Sequence, residues 1–385
     1  MKIPLRRACG ELESAGEHCY HLPVPNRFRI VTWVILLVAA GLFASRFLRE
    51  PDIAVAEETY RFNLAQEEAV KTGNHVVYSR HTVSNSGLPT RDAARHPWKS
   101  LLSGATNGAP LQVVYVHGYN TTFAESIAQG NYLSRLLRQW TAQKYPATAL
   151  DFHTFSWRAD FGPDKFPTAE LAAKAQSASL GAFLKTLRQP ASAGGPPPKI
   201  ILITHSLGAR LVLETLSHQG HDADFPVISA LLLVEPAMLR TSLSRGTYET
   251  FKGDNIMSVR YDGEFFTALD SVPFALATCS STDDALTQIF NPTPEATEGP
   301  ATPKLNAPLG LPYYSATEAE VFPDNFRLID LSPGRYIDMA LPSHDSLFNA
   351  SGRRALWTLW SRLLRQTLTP GAPTPKVEEK EKPPA

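Results

Sequence analysis

Apolar runs of strand length alternate with helical patterns from about residue 111 onward. Leu111–Val116 is rich in β-branched and aromatic residues and stops at His117-Gly118-Tyr119-Asn120. Thr122 followed by Glu125 is a capping box, and Leu133, Leu136, Leu137 and Trp140 give the apolar face of the helix it starts. A strand near Phe152–Trp157 and a helix from about Ala169 to Leu187 follow, then a Gly/Pro-rich loop over 191–198. Ile200–Ile203 is a continuous apolar run, as in a strand buried on both faces. Leu207, Leu211, Val212, Thr215 and Leu216 then line one side of a helix. Ile228–Val234, Asn255–Tyr261 and Phe326–Leu331 are further strands, with Val76–Tyr78 a short one upstream. Leu356, Leu359, Trp360, Leu363 and Leu364 mark a closing helix. This order predicts an α/β fold: a mainly parallel sheet with helices on both faces. Ligands of such sheets bind beyond the carboxyl ends of the strands.

The flanks read differently. Residues 1–29 are polar with five basic residues, and Ile30–Ser45 has no charge. Those 16 residues span about 24 Å as a helix, short of a hydrocarbon core of about 30 Å, but Arg27, Arg29, Arg46 and Arg49 can snorkel. A single-pass transmembrane anchor over 30–48 is the preferred reading, against a cleaved signal peptide ending near Ala54-Val55-Ala56 or a buried helix. The basic excess before the segment places a 1–29 leader in the cytoplasm and the rest on the other side. A spacer over 49–74 precedes the main domain, 75–368. Within it, 270–325 is dense in proline and is expected to be a cap or loop insertion, and the 369–385 tail is expected to be disordered.

Basic and acidic residues balance at 37 each, so nothing argues for nucleic acid. Cys9 and Cys19 precede the apolar segment, which leaves Cys279 alone in the main domain without a bridge to form. His218 and His221 have no further ligands at metal-site spacing, and no phosphate loop or dinucleotide fingerprint is present, so no cofactor is expected.

The candidate chemistry sits where strand becomes helix. Between Ile203 and Leu211 almost nothing is left for a loop, so the turn is sharp and pushes the Ser206 side chain outward. It also places the N–H of Leu207 and a helix N-terminus beside that hydroxyl, where negative charge is stabilised. A serine needs a base, and His344, past the final strand, can fold back over the sheet edge. His205 is expected to pack. The acid that orients the imidazole is sought after the strand ending at Tyr261, where Asp262 and Glu264 both qualify; Glu235 is a third option. A second oxyanion donor is expected in the His117-Gly118-Tyr119-Asn120 turn, with the Tyr119 N–H the best placed.

Val113–Asn120, Thr154–Trp157 and Ile203–Arg210 together resemble a bacterial alpha/beta-hydrolase family of uncharacterised function, similar to lipases and esterases, over roughly residues 75–365. The resemblance implies Ser206 as nucleophile, His344 as base, and Tyr119 and Leu207 as oxyanion donors. It does not separate Asp262 from Glu264, and it gives Arg210 a structural place. The expected activity is that of a membrane-anchored serine hydrolase acting on a small-molecule or lipid-like ester from the periplasmic side. A serine peptidase and a non-catalytic, membrane-tethered binding module are the alternatives.

Overall fold

The computed structural model describes residues 74–79, 111–162, 164–188, 196–252, 255–290, 308–312, 320–333, 343–348 and 352–369, all within the unit Val55–Ala385. The leader, the charge-free run 30–45 and the tail beyond 369 lie outside them. Among the described residues no helix is long and apolar enough to cross a membrane.

Nine strands and four α-helices carry the described chain. They are β1 (Asn74–Ser79), β2 (Leu111–Val116), α1 (Phe123–Lys144), β3 (Leu150–Trp157), α2 (Phe166–Leu187), β4 (Lys199–His205), α3 (Gly208–Gln219) and β5 (Ile228–Val234). Then come β6 (Arg245–Lys252), β7 (Asn255–Asp262), β8 (Ala275–Cys279), β9 (Phe326–Asp330) and α4 (Arg353–Leu368). Seven strands form one sheet in the order β1-β3-β2-β4-β5-β8-β9, every neighbouring pair parallel.

Strand alternation sorts side chains between two cores. Val114, Val116, Ile200 and Leu202 join Phe183, Leu184, Leu211 and Val212 of α2 and α3. Val113, Tyr115, Ile201 and Ile203 point the other way, onto Leu133 and Leu137 of α1 and Leu356, Trp360 and Leu363 of α4. Period-two side chains on strands covered on both sides require this split, which is why these strands read as unbroken apolar runs. The indole N–H of Trp360 donates to Thr141 Oγ1 at 3.1 Å and ties α4 to α1.

Most element bounds follow the pattern. The capping box at Thr122 is formed in both directions: Thr122 Oγ1 accepts from the Glu125 N–H, and Glu125 accepts from the Thr122 N–H. Helix α2 starts at Phe166 rather than Ala169 because Pro167 fits a first turn, where its missing N–H costs nothing.

Two expectations change. The strand Asn255–Tyr261 exists, but as β7 it pairs antiparallel with β6 in a separate two-stranded hairpin. The place beside β5 is taken by β8, Ala-Leu-Ala-Thr-Cys, drawn from the proline-dense stretch that was expected to be a cap. Five residues suffice for a buried strand, and the flanking prolines do not interrupt them.

Candidate active site

The ends of β2, β4 and β5 are level, since Val116 pairs with Thr204 and His205 with Val234. The next residues therefore form a row: His117-Gly118-Tyr119, Ser206 and Glu235. Three non-glycine residues among those described have positive φ, Asn120 (51°), Ser206 (50°) and Glu235 (44°), and each follows one of these strand ends. Left-handed backbone is costly for such residues and persists only where the surroundings impose it, commonly at functional sites.

Ser206 forms the expected elbow. Its N–H donates to Val234 O at 2.9 Å, and its carbonyl accepts from the Ala209 N–H at 3.1 Å, closing the turn into α3, whose N-cap is Leu207. A methyl group on Gly118 would lie 2.7 Å from Ser206 Cβ, so glycine there lets the β2 loop approach the Ser206 loop. The Tyr119 side chain is committed elsewhere. Its hydroxyl donates to Gly162 O, accepts from the Lys165 N–H at 3.0 Å, and so holds the start of α2.

His117 fixes that same loop from beneath. Its Nε2 accepts from the Trp157 N–H at 3.0 Å, Nδ1 lies 3.0 Å from Gly118 O as its donor, and the Trp157 indole N–H donates to His117 O at 2.8 Å. Burial without a charge partner lowers its pKa to about 4, so the ring is neutral and structural.

His344 and Ser206 line one cavity of about 230 Å³, together with Tyr119, Phe166, Ala237 and Leu286. The two distant loops do converge. His344 Nδ1 lies 2.7 Å from Asp283 Oδ2, as an N–H donor to a fully buried carboxylate. The other oxygen, Oδ1, accepts from the Leu286 N–H at 2.9 Å, so Asp283 is held on both sides.

Asp283 corrects the expectation of Asp262 or Glu264. Both of these sit at the base of the hairpin, outside the sheet, and neither lines the cavity. Asp262 is exposed and bonded to Arg245; Glu264 is exposed and 3.8 Å from Arg210 Nη2. The strand beside β5 is β8, not the one ending at Tyr261, and the Asp283 turn follows its end. The signal was a short Ala/Leu/Thr strand ending in Ser280-Ser281-Thr282-Asp283-Asp284, obscured by the prolines around it.

His205 packs, as expected, and does more. Its Nε2 lies 3.0 Å from the carbonyl oxygen of His344, so the ring donates to the backbone that carries the imidazole. The two rings are 4.6 Å apart, and burial, then His344, holds the His205 pKa well below its ordinary value. Arg210 bridges Glu170 of α2 and Glu264, a structural place in keeping with its resemblance.

Glu235 is fully buried, and neither of its carboxylate oxygens has a hydrogen-bond partner. Burial, then the charges of Asp283, Asp345 and Asp284, push its pKa well above the ordinary carboxylate range. Among the described residues, His205, Glu235 and His344 form the group with metal-ligand composition, one donor atom from each lying within 4.8 Å of the others.

Residues 106–244 match a family described as alpha/beta hydrolase of unknown function (DUF900). No curated protein gives a significant match. Among solved structures, the esterase domain of a Rhodothermus marinus protein is 15% identical, over 67% of this chain and 88% of that one, with a TM-score of 0.30. Lipase B of Aspergillus fumigatus is 12% identical over 68% and 53%, at 0.37. Carboxyl esterase 2 of Tuber melanosporum is 12% identical over 68% and 78%, at 0.33. Scores this low carry no argument about substrate. The family match spans the Ser206 turn and its flanking strands, and the parallel sheet with helices on both faces is that of an alpha/beta-hydrolase fold.

Proposed function

We propose that the chain is a serine hydrolase that cleaves a carboxylic ester through an acyl-enzyme on Ser206. The observation that carries this reading is the shared cavity of Ser206 and His344, with the imidazole Nδ1 on buried Asp283. With Nδ1–H donating to Asp283, Nε2 keeps a lone pair for the serine proton. Ser206 Oγ attacks the carbonyl carbon, and its proton passes to His344 Nε2. The N–H groups of Leu207 and Tyr119 hold the developing oxyanion. When the ester C–O bond breaks, the imidazolium returns the proton to the departing alcohol. Water, deprotonated by the same nitrogen, then releases the acid and restores Ser206. Asp283 stabilises the imidazolium and remains ionised throughout.

The cavity supports a small ester. About 230 Å³ with Phe166, Ala237, Ala285 and Leu286 on its apolar side suits a short acyl chain. We further propose that Ile30–Ser45 anchors the enzyme in a membrane with this domain on the periplasmic side, which carbonate extraction of membranes tests. The chemistry is tested by p-nitrophenyl butyrate hydrolysis and fluorophosphonate labelling. Ser206→Ala should abolish both, a loss of about 10⁶-fold in kcat. Labelling that persists in this variant would remove Ser206 from the role.

A further inference from the structure

Glu235 is a fully buried carboxyl group that the mechanism above does not use. Glu235 follows β5, the sheet neighbour of β8, and so stands in the same row of strand ends as Ser206 and one strand away from the Asp283 turn. Its backbone is forced to φ 44°, and its N–H is pinned by Thr278 Oγ1 of β8 at 3.0 Å. A carboxylate oxygen lies within 4.8 Å of a ring nitrogen of His344 and of one of His205. Asp283 already holds His344 Nδ1, and the His344 carbonyl already holds His205 Nε2, so this group is organised around the imidazole rather than around a cation.

Two carboxyl groups beside one imidazole in a dry site do not both ionise; one keeps its proton. The hydrogen bonds decide which. Asp283 accepts from Leu286 N–H and from His344, while neither oxygen of Glu235 accepts anything. The negative charge therefore belongs on Asp283 and the proton on Glu235. The other groups facing Glu235 reinforce this: Asp284 beside Asp283, Asp345 beside His344, and the neutral ring of His205 at the end of β4.

We propose that Glu235 is a second carboxyl of the catalytic centre, a positioning residue held as the neutral acid while Asp283 carries the charge, and that it becomes the acid partner of His344 when Asp283 is neutralised. This rests on the hydrolase reading of Ser206 and His344. In an Asp283→Asn protein the charge opposing ionisation of Glu235 is gone. Glu235 then releases its proton to solvent, and its carboxylate supports the imidazolium from the neighbouring strand end.

The test is ester hydrolysis by the full chain between pH 6 and 10, for wild type, Asp283→Asn, Glu235→Gln and the double variant. Losing the triad acid with nothing to replace it costs about 10⁴-fold. The double variant should show that loss at every pH. Asp283→Asn should instead recover with rising pH along a single ionisation and stand about a hundredfold above the double variant at pH 9. Glu235→Gln alone should lower kcat about threefold, so the two losses are not additive. If Asp283→Asn and the double variant coincide at every pH, the proposal is overturned. Should the double variant not fold, the pH profile of Asp283→Asn decides, since a purely structural Glu235 leaves that profile unchanged. Activity that survives Ser206→Ala would defeat the hydrolase reading instead. A Ser206-dependent wild type with coincident variants would defeat this inference alone.

Discussion

The stretch 111–234 and the stretch 245–348 meet at the same cavity but are built by different rules. In the first, strand, helix and next strand follow one another, and each strand end lies beside another already placed. Ser206 is positioned by β4 and the turn that follows it, from Lys199 to Gly208. In the second, the chain leaves the sheet for the β6–β7 hairpin, returns for β8, leaves again and returns for β9. Asp283 and His344 meet across 61 residues. A serine placed by local geometry is readable from a short window. A carboxylate placed by which strand occupies a sheet position is not.

The largest expected effect tests that contrast directly. His344→Ala should lower ester hydrolysis by about 10⁶-fold, as removal of a triad base does. Asp262→Asn and Glu264→Gln, the acids favoured by chain order, should stay within about twofold, because both are exposed and neither lines the cavity. A hundredfold loss in either would return the acid to the hairpin and break the comparison.

What was legible follows the same division. The elements from β2 to β5 were readable because each is a long run of one period, and α4 because its Leu/Trp stripe is equally plain. Ser206, His344 and the Gly118 turn were singled out for local reasons: a missing loop, a histidine after the last strand, a loop after an earlier central strand. Asp283 was missed because the run before it is five residues long and set among prolines, while Asn255–Tyr261 looks like a better strand and is one. Nothing in its pattern says that its partner is β6 rather than β5. The tasks of His117 and His205 were also hidden, since both are fixed by contacts with Trp157 and the 343–348 turn that no spacing encodes.

A second test asks how firmly the first stretch is pinned. His117 titrates at about 4 when folded and near 6.5 when unfolded, so between these values the unfolded chain binds a proton that the folded chain refuses. Its contribution to stability is complete above about pH 6.5 and is lost as pH falls towards 4, roughly 3 kcal/mol over the window. Glu235, kept protonated when folded, acts in the opposite sense: its contribution is present below the ordinary carboxylate value and lost as pH rises. Urea unfolding at pH 4.5, 5.5 and 6.5 should therefore show a shallower acid limb in His117→Gln, by about 1.4 kcal/mol per pH unit. Parallel limbs in the two proteins would mean that His117 is not the group refusing the proton.

The smallest effect sharpens the comparison, because one kind of substitution can be made in each stretch. A methyl group on Gly208 would lie 2.5 Å from the carbonyl oxygen of His117 and 2.6 Å from that of Val116. One on Gly263 would lie 2.6 Å from the carbonyl oxygens of Thr241, Ser242 and Ser244. All are backbone atoms that no rotamer change can move aside, so each alanine should cost about 2 kcal/mol of stability by overpacking. Their effects on catalysis should part. Gly208 separates the Ser206 loop from the loop that follows β2, and on the proposed mechanism pushing these apart by a few tenths of an ångström degrades the alignment of Oγ and N–H groups on which the rate depends. Gly263 closes the hairpin base, away from the cavity. At a temperature where both variants are fully folded, Gly208→Ala should lose about a hundredfold in kcat, and Gly263→Ala should keep wild-type kcat with a lowered Tm. Equal kcat losses would show that the hairpin is coupled to the chemistry after all, and the division drawn between the two stretches would have to be given up.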